Sequence, residues 1–399
     1  MRRTLALTAV SVALATAVAT ATAAGPAAIE PKLTRALASP SLSLRRTSAL
    51  AVDVSTGGVV FAHNASLPVA PASNEKIPVS WAALTRLGPG YRFHTEVYGV
   101  GGRNGARWDG DLVLKGFGDP TFSTSDLDRL AATIRARGIR SVSGRILGDE
   151  SFYDSKRGVA GWKPYFVGGE APPLSALVVD RALGWPTLSP PLLAARALRE
   201  VLVRHGVSVG GRPGLGVAPA EAVSLASDVS EPLARIVQRM NRESDNFYAE
   251  MLLKQLLAAT GKVGTSAGGG GLVVAAMRDA GIPVGGVRIV DGSGLSSLDR
   301  LTAEALVGVL RAGASDPAIR AAFLDSLAVA GLNGTLSSRL PALRGKVKGK
   351  TGTTDLACTL SGLIGGSVAF AVLENGSPVS SWAARAAQDR FVTILASSR

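Results

Sequence analysis

An α/β (α+β) fold is predicted: one antiparallel sheet flanked by helices, interrupted by a smaller inserted α/β domain. Three observations carry this prediction. Apolar and polar residues alternate as strands near both ends, over 47–62 and 346–373. Helical spacing of apolar residues fills the neighbouring segments, and a central region changes to short mixed elements with a Pro/Gly-rich middle. Strands so remote in sequence share a core most simply by completing one sheet with helices packed on it.

In chain order, residues 1–23 read as a secretory signal peptide. Arg2 and Arg3 precede an apolar run through Leu5, Leu7, Val10, Val12 and Leu14, and Ala21, Thr22, Ala23 make an Ala-x-Ala cleavage site. An uncleaved anchor is the alternative, but the stretch is only mildly hydrophobic for a permanent span. Residues 47–54 alternate as a strand, 55–58 turn, and 59–62 begin a second strand. A helix over 73–87 places Ile77, Trp81 and Leu84 on one face and stops at Gly88, Pro89, Gly90. Pro78 removes a hydrogen bond from its second turn, so the start is expected to be irregular or later than residue 73.

Segments 92–100 and 107–115 read as strands around the Asn104-Gly105 turn. A helix over 125–137, a strand over 141–147 and a helix over 192–204 follow, and 101–224 is read as the inserted domain. That leaves 24–100 and 225–399 as two parts of one discontinuous principal domain. Ser230 is expected to cap a helix carrying Leu233, Ile236, Val237 and Met240, and Ser244 and Asn246 fall at the break before a helix over 247–259. Residues 291–295 form a tight loop, Thr302 caps a helix, and strands over 346–354, 357–364 and 368–373 precede a closing helix over 379–396.

With 399 residues, 46% hydrophobic and 18% charged, the chain has material for a large core and more than one domain. No segment beyond the signal has the unbroken apolar length of a membrane helix. Cys358 is the single cysteine, so no intrachain disulfide forms. The formal charge of +13, or +11 without Arg2 and Arg3, suits association with anionic wall polymers or a membrane surface. Nucleic acid is disfavoured, because the export signal leads away from it and no aromatic-plus-basic motif is present.

The chemistry starts at Ser73, Asn74, Glu75, Lys76: Lys76 is the only lysine with a serine three residues before it. On a helix that spacing puts hydroxyl and amine on one face, and a neutral amine can deprotonate a serine for acyl transfer. Far downstream, Ser244, Asp245, Asn246 is the only Ser-x-Asn and Lys350, Thr351, Gly352 the only Lys-Thr-Gly. The three occur in the order found in class A β-lactamases and penicillin-binding proteins. The competing Gly-x-Ser-x-Gly at Gly264–Gly268 follows helical sequence rather than a strand, and no histidine follows it. His63, His94 and His205 are too scattered for a triad or a metal cluster, and glycines 268–271 lack the Lys-Ser/Thr of a phosphate loop.

With these motifs placed, the sequence resembles the D-alanyl-D-alanine carboxypeptidase/endopeptidase family of class C low-molecular-mass penicillin-binding proteins, peptidase S13. Stretches 116–121, 148–154, 172–180 and 291–302 share the likeness, which covers most of the mature chain. Two departures bear on substrate selectivity: a shorter insertion, and Ser297, Leu298, Asp299 where a more basic, amide-rich sequence is expected. The resemblance implies a penicillin-binding-protein/serine β-lactamase-like fold, no cofactor and no metal. It implies that Ser73 attacks D-Ala-D-Ala, that Lys76 takes its proton, that Ser244 relays a proton to the leaving amine, and that Asn246 holds Lys76 and the substrate amide. Lys350 and Thr351 would bind the terminal carboxylate, with a charged Lys350 and partial burial keeping Lys76 neutral. Gly352 would let substrate backbone lie close, Ser73 and Thr353 N–H groups would form the oxyanion hole, and Asp149 would face the amine of the peptide side chain.

The expected function is therefore an exported, cell-wall-associated serine D-Ala-D-Ala carboxypeptidase or endopeptidase, acting on peptidoglycan stem peptides and acylated by β-lactams. The alternatives are a serine β-lactamase, for which no Glu-x-x-Leu-Asn lies between Lys76 and Ser244, and a non-catalytic wall-binding protein of the same fold.

Overall fold

The structure, a computed structural model, describes residues 26–182 and 189–398; the expected signal segment 1–23 lies outside the described residues. Helix α1 (Pro26–Leu37) leads to strands β1 (Thr47–Asp53) and β2 (Val59–His63), the expected hairpin. A 3₁₀ turn, Ala72–Glu75, then runs into α2 (Lys76–Leu87). The helix proper begins at Lys76, so Pro78 lies in its first turn, where backbone N–H groups have no intrahelical partner and a missing donor costs little. The first nine residues of α2 are all buried.

The next elements are β3 (His94–Asn104), β4 (Arg107–Gly116), α3 (Thr124–Ala136), β5 (Ser141–Val142) and β6 (Ile146–Asp149). A single turn α4 (Phe166–Gly169), α5 (Pro190–Arg204), β7 (Ser208–Val209), β8 (Gly214–Leu215) and β9 (Val223–Val229) complete the region. β3 pairs with β4 on one side and β9 on the other, inside a seven-stranded sheet. The boundaries expected at 100/101 and 224/225 therefore fall within β3 and β9, and sheet membership runs from His94 to Val229. The glycines near residue 100 disguise the strand, since they break its alternation. At Gly99 the missing side chain makes room for the Trp108 ring, 2.3 Å from where a Cβ would stand. Leu112, Leu130, Ile134, Leu198 and Leu202 form a separate core in this unit.

The chain returns through α6 (Leu233–Glu243), α7 (Asn246–Ala258), α8 (Ser266–Asp279), α9 (Ala303–Ser315) and α10 (Arg320–Ser326). Strands β10 (Ala328–Val329), β11 (Val347–Thr353), β12 (Ala357–Ile364) and β13 (Val368–Asn375) precede α11 (Ser381–Ser397). Ser230 does not cap α6, whose N-cap is Pro232. Its hydroxyl accepts from Phe93 N (2.9 Å) and donates to Glu231 O (2.7 Å), stitching together the two ends of the inserted unit. The principal sheet has the order β10-β11-β12-β13-β1-β2, antiparallel throughout, so both chain ends build it. Alternation splits its side chains: Leu50, Val52 and Leu373 join the core with α2 and α9, while Ala49, Phe370 and Val372 pack with Leu33, Phe391 and Leu395 on the other face. No described helix is long and apolar enough to cross a membrane.

Candidate active site

Ser73 sits in the 3₁₀ turn directly after Ala72, whose φ of +46° is a left-handed conformation that an alanine adopts only under restraint. Two glycines leave room for it. Gly294 (φ +81°) lies so close that a Cβ would come within 1.8 Å of the Ala72 carbonyl oxygen, and a Cβ on Gly352 would stand 2.7 Å from Ser73 N. A Cβ on Gly352 would thus run into the nucleophile's own turn and Thr359, so the glycine makes room for that turn.

Lys76 Nζ lies 2.9 Å from Ser73 Oγ, and donates to Asn246 Oδ1 (2.8 Å) and the Ser293 carbonyl (2.9 Å). The amine is wholly buried, and loss of solvent pulls it from 10.5 down to about 8 against the upward pull of Asp291, Glu250, Asp245 and Glu75. Two of those carboxyls are themselves raised by burial. Burial and the neighbouring Asp291 raise Glu250 to about 8, and Glu75, whose two oxygens have no hydrogen-bond partner, is raised well above 4.5 by burial. Asp291 is the best solvated by the protein: it accepts from Gly294 N, Ser296 N, Ser293 Oγ and Trp162 Nε1.

Ser244 ends α6 in the left-handed conformation (φ 62°, ψ 36°), and Asp245 caps α7 by accepting from Tyr248 N at 3.0 Å. This break between packed helices turns Ser244 and Asn246 toward Ser73. Arg181 clamps Asp245 at 2.5 Å, and Asn246 Nδ2 donates to the Glu170 carbonyl (3.0 Å), so the inserted unit steadies the break. Lys350 Nζ donates to Ser244 Oγ (2.8 Å) and Thr351 O (2.7 Å), and Thr351 donates to Thr335 Oγ1 (2.8 Å). Lys350 is fully buried, and burial followed by the charge of Lys76 pushes its amine well below 10.5. Carboxyl groups thus lie around Lys76 rather than around Lys350.

The three motifs meet at one cleft of about 520 Å³, lined by Ser73, Ser244, Asn246, Thr351, Gly352 and Thr353, with Glu170, Thr335, Arg339 and Arg385 around them. Lys76 and Lys350 lie beneath these residues. β10 pairs only with Lys348 and Gly349, so the outer edge of β11 is open from Lys350 onward. Asp149 is not brought to the cleft. It is buried, accepts from Ser151 N (2.8 Å) and Ala218 N (2.9 Å), and pairs with Lys115 at 3.3 Å, so its carboxylate is occupied holding β6 in place. Sequence reasoning missed the carbonyls of Ser293 and Glu170, which carry no side-chain signal. It also missed Thr335 and Arg385, which belong to no motif. The histidines lie elsewhere: His63 meets Leu44 O, His94 stacks on Phe117, and His205 meets Asp128.

Known proteins resemble this chain over most of its length. The family model for the D-Ala-D-Ala carboxypeptidase 3 (S13) family matches residues 29–191 and 187–398. The D-alanyl-D-alanine carboxypeptidase of Actinomadura sp. (strain R39) is 31% identical over 450 residues, spanning 90% of this chain and 83% of that protein. Carboxypeptidase DacB of Mycolicibacterium smegmatis is 32% identical, spanning 92% and 83%. The crystal structure of penicillin binding protein 4 (dacB) from Haemophilus influenzae superposes with a TM-score of 0.81 at 20% identity, covering 92% of this chain and 99% of that one; it shares the fold. A family model that spans both halves of the principal domain and the unit between them leaves little of the described chain outside it, and the chain belongs to the D-Ala-D-Ala carboxypeptidase 3 (S13) family.

Proposed function

We propose that Ser73 is the nucleophile of a serine-type D-Ala-D-Ala carboxypeptidase reaction on peptidoglycan stem peptides, and that Lys76 is its general base. The observation that carries this reading is the 2.9 Å contact between Ser73 Oγ and a lysine amine brought to about 8 by burial. In its neutral form the amine takes the hydroxyl proton as Oγ bonds to the penultimate D-Ala carbonyl carbon. The backbone N–H groups of Ser73 and Thr353 receive the developing oxyanion; one such donor is typically worth roughly 10² to 10³ in rate. The proton taken by Lys76 returns through the Ser244 hydroxyl, oriented by Lys350, to the departing amine nitrogen as the C–N bond breaks, which leaves Ser244 protonated and Lys76 neutral again. Asn246 keeps Lys76 aligned and offers its amide side to the substrate. Water then cleaves the Ser73 ester with the same base. A substrate backbone laid along the open outer edge of β11 would dock as an added strand.

The same nucleophile would open a β-lactam ring and retain it as an ester. Residues 1–23 would direct the protein out of the cytoplasm, where its basic charge favours association with the anionic wall. The unit from His94 to Val229 acts as the inserted domain whose segment around Glu170 walls the cleft. The test is digestion of a stem pentapeptide and of a D-Ala-linked dimer with mass readout. Release of D-Ala that disappears in Ser73→Ala is the expected result; intact pentapeptide with the wild-type protein would refute the reading.

A further inference from the structure

We infer that Arg385 is the cation that binds the substrate's terminal carboxylate, together with the hydroxyls of Thr351 and Thr353. The inference rests on the Ser73 acyl-enzyme reading and deepens it. An anion in the cleft needs a donor that it can touch, and Lys350 is not one. Its amine is fully buried, it does not line the cleft, and its hydrogen bonds go to Ser244 Oγ and the Thr351 carbonyl.

Two other cations line the cleft, Arg339 and Arg385. Arg339 is already committed: its guanidinium pairs with Asp389 at 2.6 Å and donates to the Arg385 carbonyl at 3.2 Å. Arg385, on α11, is exposed and has no carboxylate partner among the described residues. Its Nη2 lies 3.4 Å from Thr353 Oγ1, on the outward side of β11 just past Thr351. Arg339 thus pins the turn of α11 that carries Arg385. A planar guanidinium beside two hydroxyls matches a carboxylate's paired oxygens and fixes its orientation as a point charge would not. The one acidic residue lining the cleft, Glu170, belongs to the inserted unit and not to the sheet and helix that carry these donors.

The test compares wild type, Arg385→Ala, Arg385→Gln and Arg385→Lys on two peptides that differ only at the C-terminus, a free D-Ala-D-Ala acid and its carboxamide. For the acid, Arg385→Ala and Arg385→Gln are expected to raise KM by about 10- to 100-fold with kcat changed much less, the loss of a charge-assisted hydrogen bond, and Lys should recover part of it. For the carboxamide, which carries no charge to pair, the four proteins should differ in kcat/KM far less than they do on the acid. An unchanged KM for the acid, or equal losses on acid and carboxamide, would overturn the assignment. Cleavage by the wild type with no effect of the Arg385 variants sinks this inference alone, whereas no cleavage by the wild type sinks the Ser73 reading beneath it.

Discussion

Replacing Gly294 with alanine tests how the nucleophile is held. The added Cβ would lie 1.8 Å from the Ala72 carbonyl oxygen, a contact that must open to at least 3.0 Å, and 3.1 Å from Glu75 Cβ. Ala72 precedes Ser73, and Ser293, beside Gly294, supplies the carbonyl that holds Lys76. The displacement therefore pushes both halves of the Ser73–Lys76 pair. A left-handed alanine costs about 1–2 kcal/mol, and overpacking adds about 1–3 kcal/mol, so Gly294→Ala should lose roughly 2–5 kcal/mol of stability. Misplacing a reacting group by about 1 Å can cost on the order of 10²-fold in rate. Gly261→Ala is the matched control, since Gly261 has φ +83° and nothing within 4 Å of the site a Cβ would take. It should lose only the conformational part and acylate normally. Denaturant unfolding and the second-order rate of acylation by a labelled penicillin provide the readouts. If the two variants unfolded and acylated alike, the packing argument for the nucleophile turn would be wrong.

Two further predictions concern protons. With Lys76 brought to about 8, the base is increasingly present as pH rises, so acylation should climb about tenfold per pH unit below that midpoint and level off above it; a flat profile from pH 6 to 9 would exclude Lys76 as the base. Glu374, buried on β13 with one oxygen unpartnered, is raised from 4.5 to about 8 by burial. Its folded pKa exceeds its unfolded value, so the stability it contributes is full below about 4.5 and is lost as pH rises through about 8, a difference of roughly a few kcal/mol. Glu374→Gln keeps the shape and removes the titration, and should flatten the fall in Tm between pH 5 and 8. An unaltered pH dependence would show that Glu374 is ionised in the folded protein at low cost.

The legible parts of this protein are those where one residue type has one reason to be where it is. Ser73 and Lys76 share a face at helical spacing, and the strands β11, β12 and β13 follow each other in sequence and pair as neighbours. Pro78 signalled an irregular or later start, and the helix proper begins at Lys76. The illegible parts depend on partners remote in sequence. The edge of the inserted unit was hidden because the Gly-rich end of β3 is shaped by Trp108 on the facing strand. Asp149 was expected to face the substrate's amine, but Lys115, the nearby Ser151 N–H and the distant Ala218 N–H occupy it. The surroundings of Lys76 were hidden because Glu75, Glu250 and Asp291 converge on it from the nucleophile turn, α7 and the 291–295 loop.

The central claim is that Ser73 forms the covalent bond. Mass spectrometry of the peptide carrying Ser73, after incubation of the full chain with benzylpenicillin, tests it most directly. The account predicts a single penicilloyl adduct on Ser73, absent in Ser73→Ala. An adduct on Ser244 or Ser266, or labelling that persists in Ser73→Ala, would contradict it.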